Sequence, residues 1–270
     1  MARRIKKFKN PTLPENWYYD FWEKVDFDQS YKDLGDNPHF YADAMRGRIR
    51  STQLRLDEAW VHFDRAQELA VQAEETIPEL MRQFALNMYS LDNALKQGVV
   101  TDFEFPSFKI PELPDAVLEE YPEVRTAILQ RQRSEALLRL HAGDYEIAAD
   151  IYRDLLGCPL EKPNHIATDM YVGLAACQYN LGRVDEAMKD IQNAGFSILS
   201  GEASKLSRGF YSGLLHGLYT YFGEYEEAES WSGYLQSLEM PAASKKLFLQ
   251  HGELALRRSR EESRLVVLQA

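Results

Sequence analysis

The stretch GRVDEAMKDI, residues 182–191, reads as a turn followed by the start of a helix. Three others repeat it: LRLDEAWVHF from Leu54, GDYEIAADIY from Gly143 and GEYEEAESWS from Gly223. Gly143, Gly182 and Gly223 each stand five residues before an alanine, Ala148, Ala187 and Ala228, with Glu146, Asp185, Glu186, Glu226 and Glu227 just ahead of it. Each residue type has a mechanical reason. Glycine supplies the left-handed conformation that ends one helix, acids favour the positive end of the next, and alanine lets two helices cross closely. Upstream of Gly182, the spacing of Met170, Tyr171, Leu174, Ala175 and Tyr179 is helical, as is that of Ala187, Ile191 and Ala194 downstream. The unit is an antiparallel helix pair. Steps of 39 and 41 residues separate Ala148, Ala187 and Ala228, and the 89 residues from Ala59 to Ala148 leave room for one degenerate unit.

On these residues the chain resembles the tetratricopeptide repeat (TPR) family, whose period is about 34 residues. Gly47, Ala59, Phe63 and Ala66 fall at the family's small, Ala, aromatic and Ala positions. Ala136, Gly143, Ala148 and Tyr152 match in the second unit, and Ala175, Gly182, Ala187 and Ala194 in the third, where Ile191 replaces the aromatic. The fourth unit keeps Gly223 and Ala228 and departs at His216, Ser232 and Leu235. The longer steps leave a related helical hairpin repeat open. The resemblance implies an all-α fold, a right-handed α-solenoid of TPR-like helix-turn-helix repeats. Its concave face would present Arg48, Arg133, Tyr179, Asn180, Phe210 and Tyr221 to a protein or peptide partner. The alternative use of those aromatics is packing between helices. The family's carboxylate clamp is not reproduced, because its positions read Ala44, Arg48, Ser134, Asp169 and Gly173.

The flanks divide the chain. Residues 1–38 hold a basic tail, with Arg3, Arg4, Lys6, Lys7 and Lys9, and an aromatic cluster, Trp17, Tyr18, Tyr19, Phe21 and Trp22. Residues 39–241 hold the repeats, interrupted at about 98–114 by an aromatic, Pro-rich connection around Pro106, Pro111 and Pro114. That connection either packs on the repeats or lies in the groove as an internal peptide mimic. Residues 242–270 are expected to form a polar capping helix, with amphipathic spacing over 247–268 and Arg257, Arg258, Arg260 and Arg264.

With 31 basic and 42 acidic residues the net charge is −11, and the basic tail leaves the body near −16. Such a body repels phosphate backbones, so nucleic acid is not an expected partner of the folded part. No apolar run reaches the roughly 20 residues of a membrane span. Two cysteines, Cys158 and Cys177, make no disulfide framework, and a cytoplasmic location is expected.

No catalytic motif is present. None of the 15 glycines precedes a lysine, which excludes the usual phosphate loop, and GxSxG, HExxH and GxGxxG are absent. His62, His141 and His216 are scattered over helical stretches and read as packed or surface residues. Gly209, Gly213 and Gly217 share one helix face and mark close packing of a neighbouring helix. No cofactor, metal or catalytic residue is expected, and the oligomeric state is left open. The functional expectation is a non-enzymatic scaffold or adaptor. The alternative is a regulatory or assembly subunit of a larger enzyme or secretion complex, docked through the N-terminal segment or the convex face.

Overall fold

The computed structural model describes residues 13–74, 76–98, 122–158, 164–200 and 203–268. No strand occurs among them, so the fold is all-α. A helical turn α1, Trp17–Tyr19, runs into a π turn, Asp20–Lys24, and is followed by α2, Phe27–Asp33. Next come α3 (Phe40–Thr52), α4 (Leu56–Ala70), α5 (Ile77–Gln97), α6 (Pro122–Ala142) and α7 (Tyr145–Gly157). The chain continues with α8 (Asn164–Asn180), α9 (Val184–Leu199), α10 (Lys205–Phe222), α11 (Tyr225–Ser237) and α12 (Ala242–Glu261). The basic tail and, after Gly98, the 98–114 connection lie outside the described residues.

The four quoted stretches form the same turn. Gly143, Gly182 and Gly223 have φ of 91°, 80° and 83°. The next residue's N–H reaches back five residues in each case: Asp144 to Arg139 O, Arg183 to Gln178 O and Glu224 to Tyr219 O, all at 2.9 Å. This pattern satisfies carbonyls that a helix end would otherwise leave without a donor. In the first unit Leu54 adopts the same left-handed conformation, φ 58°, and Arg55 N bonds Arg50 O at 2.9 Å. The geometry therefore persists where the glycine is missing, at a steric cost a Cβ brings there.

Pairs α3/α4, α6/α7, α8/α9 and α10/α11 pack as consecutive hairpins. Ala59, Ala66, Ala136, Ala148, Ala175, Ala187 and Ala194 are fully buried. Gly47 and Gly173 lie so close to the Phe63 and Tyr152 rings that a Cβ at either would collide with the aromatic. In the first unit the sequence's small and aromatic positions are thus one contact seen from two helices, while Tyr152 of the second unit meets Gly173 of the next. Between the first two units, α5 opens on Thr76, whose Oγ1 accepts the Glu79 N–H at 3.3 Å, and closes on Gly98 at φ 80°.

The ends of the chain meet. Trp17 and Phe21 are fully buried and stacked 4.9 Å apart, with Trp17 Nε1 donating to Ser30 O at 2.7 Å. The π turn packs on α10. Phe27 meets Phe248 edge-on at 6.1 Å, and Ser244 Oγ donates to Val25 O at 2.7 Å. Helix α12 crosses α10 backbone to backbone: a Cβ on Gly213 would strike the Phe248 carbonyl, and one on Gly217 would lie 2.5 Å from Gly252 O. The three spaced glycines are the footprint of α12.

The C-terminal helix differs from its expectation. It spans Ala242–Glu261 and is amphipathic, burying Phe248, His251, Gly252, Ala255 and Ser259 while Lys246, Gln250, Glu253, Arg257 and Arg260 are exposed. The helix does not continue to 268. Ser263 takes φ 51°, and residues 265–268 run on without helical structure, 2, 1, 2 and 1% exposed.

Candidate functional site

Helices α3, α5, α6 and α8 bring their C-terminal ends to α12 and the segment after it. Those ends carry carbonyls without intrahelical donors and a partial negative charge. His251 Nε2–H donates to Thr52 O of α3 at 2.7 Å, and Arg258 donates to Leu95 O of α5. Arg264 Nη1 donates to His141 O of α6 at 2.9 Å. At α8 the cap is an amide: Asn180 Oδ1 accepts the Leu265 N–H at 2.8 Å while its Nδ2 donates to Leu265 O at 3.2 Å. Ser259 Oγ accepts the Val266 N–H at 2.9 Å and donates to Ala255 O at 2.8 Å. The backbone of Leu265 and Val266 is thereby held, outside any helix, by side chains of α8 and α12.

Beside Asn180, Tyr221 OH donates to Tyr179 OH at 3.2 Å, with the rings edge-on at 5.4 Å. Phe222 meets Tyr179 at 5.2 Å. These three rings are half-buried. Tyr179, Asn180 and Tyr221, expected together in a groove, lie together at the α8 and α10 ends.

Of the other three expected groove residues, Arg133 and Phe210 are buried and Arg48 is half-buried. Arg48 of α3 stacks between Trp22 and Tyr89, 4.6 and 4.5 Å from their centroids, and donates to Tyr89 OH at 2.8 Å. It ties the N-terminal aromatic segment to α5. Arg133 of α6 pairs with Asp169 of α8, whose other oxygen accepts from Tyr211 OH of α10, and all three side chains are buried. Burial pushes the Asp169 carboxyl up, against the pull of Arg133 and Tyr211. Phe210 is buried, its ring 5.1 Å from His251 and 6.4 Å from Phe248, and faces α12.

The histidines are packed. His62 hydrogen-bonds Tyr31 OH at 2.9 Å, and His216 Nδ1–H donates to Ala228 O at 2.9 Å. His141 is driven down to about 4 by burial and by Arg264 and Arg258. Burial lifts the Cys177 thiol to about 12, so it is no nucleophile. Among the described residues no three His, Cys, Asp or Glu side chains converge to hold a metal, and no helix is long and apolar enough to cross a membrane.

Sequence reasoning passed over Asp169 and Tyr211 as a buried pair for Arg133, and residues 264–268 as a docked segment. The available signals were an ionisable residue inside an apolar helical stretch and four aliphatic residues directly after a run of charges. Comparison of the chain with protein families, curated proteins and solved structures finds no match.

Proposed function

We propose that the chain is a non-enzymatic interaction scaffold or adaptor, a cytoplasmic right-handed α-solenoid of TPR-like hairpins that holds an extended segment of a partner protein. The observation that carries this is the grip of Asn180 on both backbone groups of Leu265. A side-chain amide that satisfies a peptide's N–H and C=O together is a recognition device for extended backbone. Half-buried Tyr179 and Tyr221 beside it supply aromatic area of the kind that dominates binding hot spots.

The test is affinity purification from native cells with wild type and Tyr179→Ala/Tyr221→Ala, both matched for helicity by circular dichroism. The reading expects a partner present with wild type and depleted with the variant. Equal retention overturns it and moves docking to the N-terminal segment, where Tyr19 is 56% exposed, or to the convex face.

A further inference from the structure

We propose that the cleft between the C-terminal ends of α6 and α8 and the last turns of α12 is a binding site for an extended aliphatic peptide. Residues 264–268 are its resident occupant, and a partner segment of the same chemistry enters by displacing them. The inference rests on the interaction scaffold proposed above and names its ligand class and its regulation.

Leu265 and Val266 are not held as the rest of the core is held. Elsewhere in the core, backbone groups bond backbone groups within helices. Here the Leu265 and Val266 backbone bonds to side chains, those of Asn180 and Ser259. The segment is joined to α12 through Ser263 in the left-handed region, φ 51°, a conformation that a non-glycine residue leaves without penalty when the junction reorients. Local units bound by few backbone bonds open at free energies below that of global unfolding.

The occupant also defines the ligand. Asn180 reads the backbone alone and is indifferent to sequence. Selectivity falls to the four aliphatic side chains after Arg264, each at most 2% exposed, and to the basic residue before them, which reaches His141 O. A competing segment therefore carries a basic residue followed by aliphatic ones and binds extended. Its apparent affinity is reduced by the fraction of time the site is filled in cis, so the segment acts as an autoinhibitory contact on its own site.

The experiment uses the full chain and a fluorescently labelled synthetic peptide of residues 263–270. Val266→Asp/Leu268→Asp buries two charges in the resident segment and drives it out. The expected result is binding of the peptide at least about tenfold tighter to this double variant than to wild type, with the gain abolished by adding Asn180→Ala. No binding to a double variant that keeps wild-type helicity overturns the proposal, as does a gain that survives Asn180→Ala. If the double variant loses its helicity, native-state hydrogen exchange on wild type decides. Amides of Leu265 and Val266 exchanging at least about tenfold faster than that of Cys177 in α8 support a displaceable segment, and equal exchange overturns it. Failure of the peptide to bind while Tyr179→Ala/Tyr221→Ala still loses its partner would remove this inference and leave the scaffold reading standing.

Discussion

The α8/α9 hairpin and the α10/α12 crossing are both tightly packed helix pairs, and they are built differently. In the first, consecutive helices are joined by the Gly182 turn and meet through Ala187, Ile191 and Ala194, all fully buried. In the second, helices separated by a whole further helix cross with Gly213 against the Phe248 carbonyl and Gly252 against Gly213. Side chains mediate the hairpin, while bare backbones mediate the crossing. Side-chain packing gives by small rotations when altered, whereas two apposed backbones have nothing to give. The hairpins are thus the tolerant part of the molecule. The crossing, which carries α12 and residues 264–268 to their places, is the intolerant part.

The largest expected effect lies on the seam between the regions, where Arg133 and Tyr211 both engage Asp169. Arg133→Ala leaves a buried carboxylate without its cation and is expected to cost about 3–5 kcal/mol in urea unfolding. A loss below about 1 kcal/mol would mean the seam is solvated and the two regions are not coupled there.

Acid comes next. Burial holds His141 and His165 at about 4 and His251 at about 3, with nearby Arg or Lys charges opposing protonation as well. An unfolded histidine titrates near 6.5, so between 6.5 and 4 the unfolded chain binds more protons. The stability these groups confer is complete above 6.5 and is lost as pH falls. At pH 5 each costs about 2 kcal/mol, less where solvent partly reaches the ring. Asp190, raised to about 6 by burial, works in the opposite sense and returns about 1 kcal/mol. The net expectation from pH 7 to 5 is a loss of about 4–5 kcal/mol. His251→Asn, whose amide still donates to Thr52 O, should flatten that slope. An unchanged slope would locate the acid sensitivity in the hairpins and not in the crossing.

Smaller substitutions sharpen the contrast from the hairpin side. Gly182→Ala places a Cβ at φ 80° and is expected to lose about 1–2 kcal/mol, whereas Leu54→Asn should gain a few tenths, about 0.5 at most, since asparagine tolerates the conformation Leu54 holds. Gly233 on α11 faces open space, and Gly233→Ala should stabilise by about 0.5–1 kcal/mol in thermal unfolding. A destabilising Gly233→Ala would place Gly233 with Gly47 and Gly173, hairpin glycines pressed against a neighbouring ring.

The hairpins were legible because their information is local. Gly143, Gly182, Gly223 and the alanines five residues later encode turn and crossing within ten residues, and even Leu54 could be placed by the residues after it. Gly209, Gly213 and Gly217 announced a close neighbour without naming it, because the complementary Gly252 lies far along the chain and carries no pattern of its own. For the candidate site, all six residues came from the resemblance to the repeat family, and the structure sets Tyr179, Asn180 and Tyr221 at neighbouring helix ends. Arg133 and Phe210 are buried against Asp169 and His251, and half-buried Arg48 is engaged by Tyr89. Residues 264–268 were misread as helix because the amphipathic spacing of α12 runs on into them, while the decisive contacts, Asn180 and His141, are 85 and 123 residues away.

The central claim is that α12 lies on α10 backbone to backbone and so sets residues 264–268 against Asn180. A double-mutant cycle with Gly213→Ala and Gly252→Ala, followed by equilibrium unfolding, tests it most directly. Each substitution alone should cost about 2–3 kcal/mol. The pair should cost less than the sum by more than about 0.5 kcal/mol, because the first methyl already separates the helices that the second would push apart. Two near-neutral single variants, or strict additivity, would contradict the crossing and the placement that depends on it.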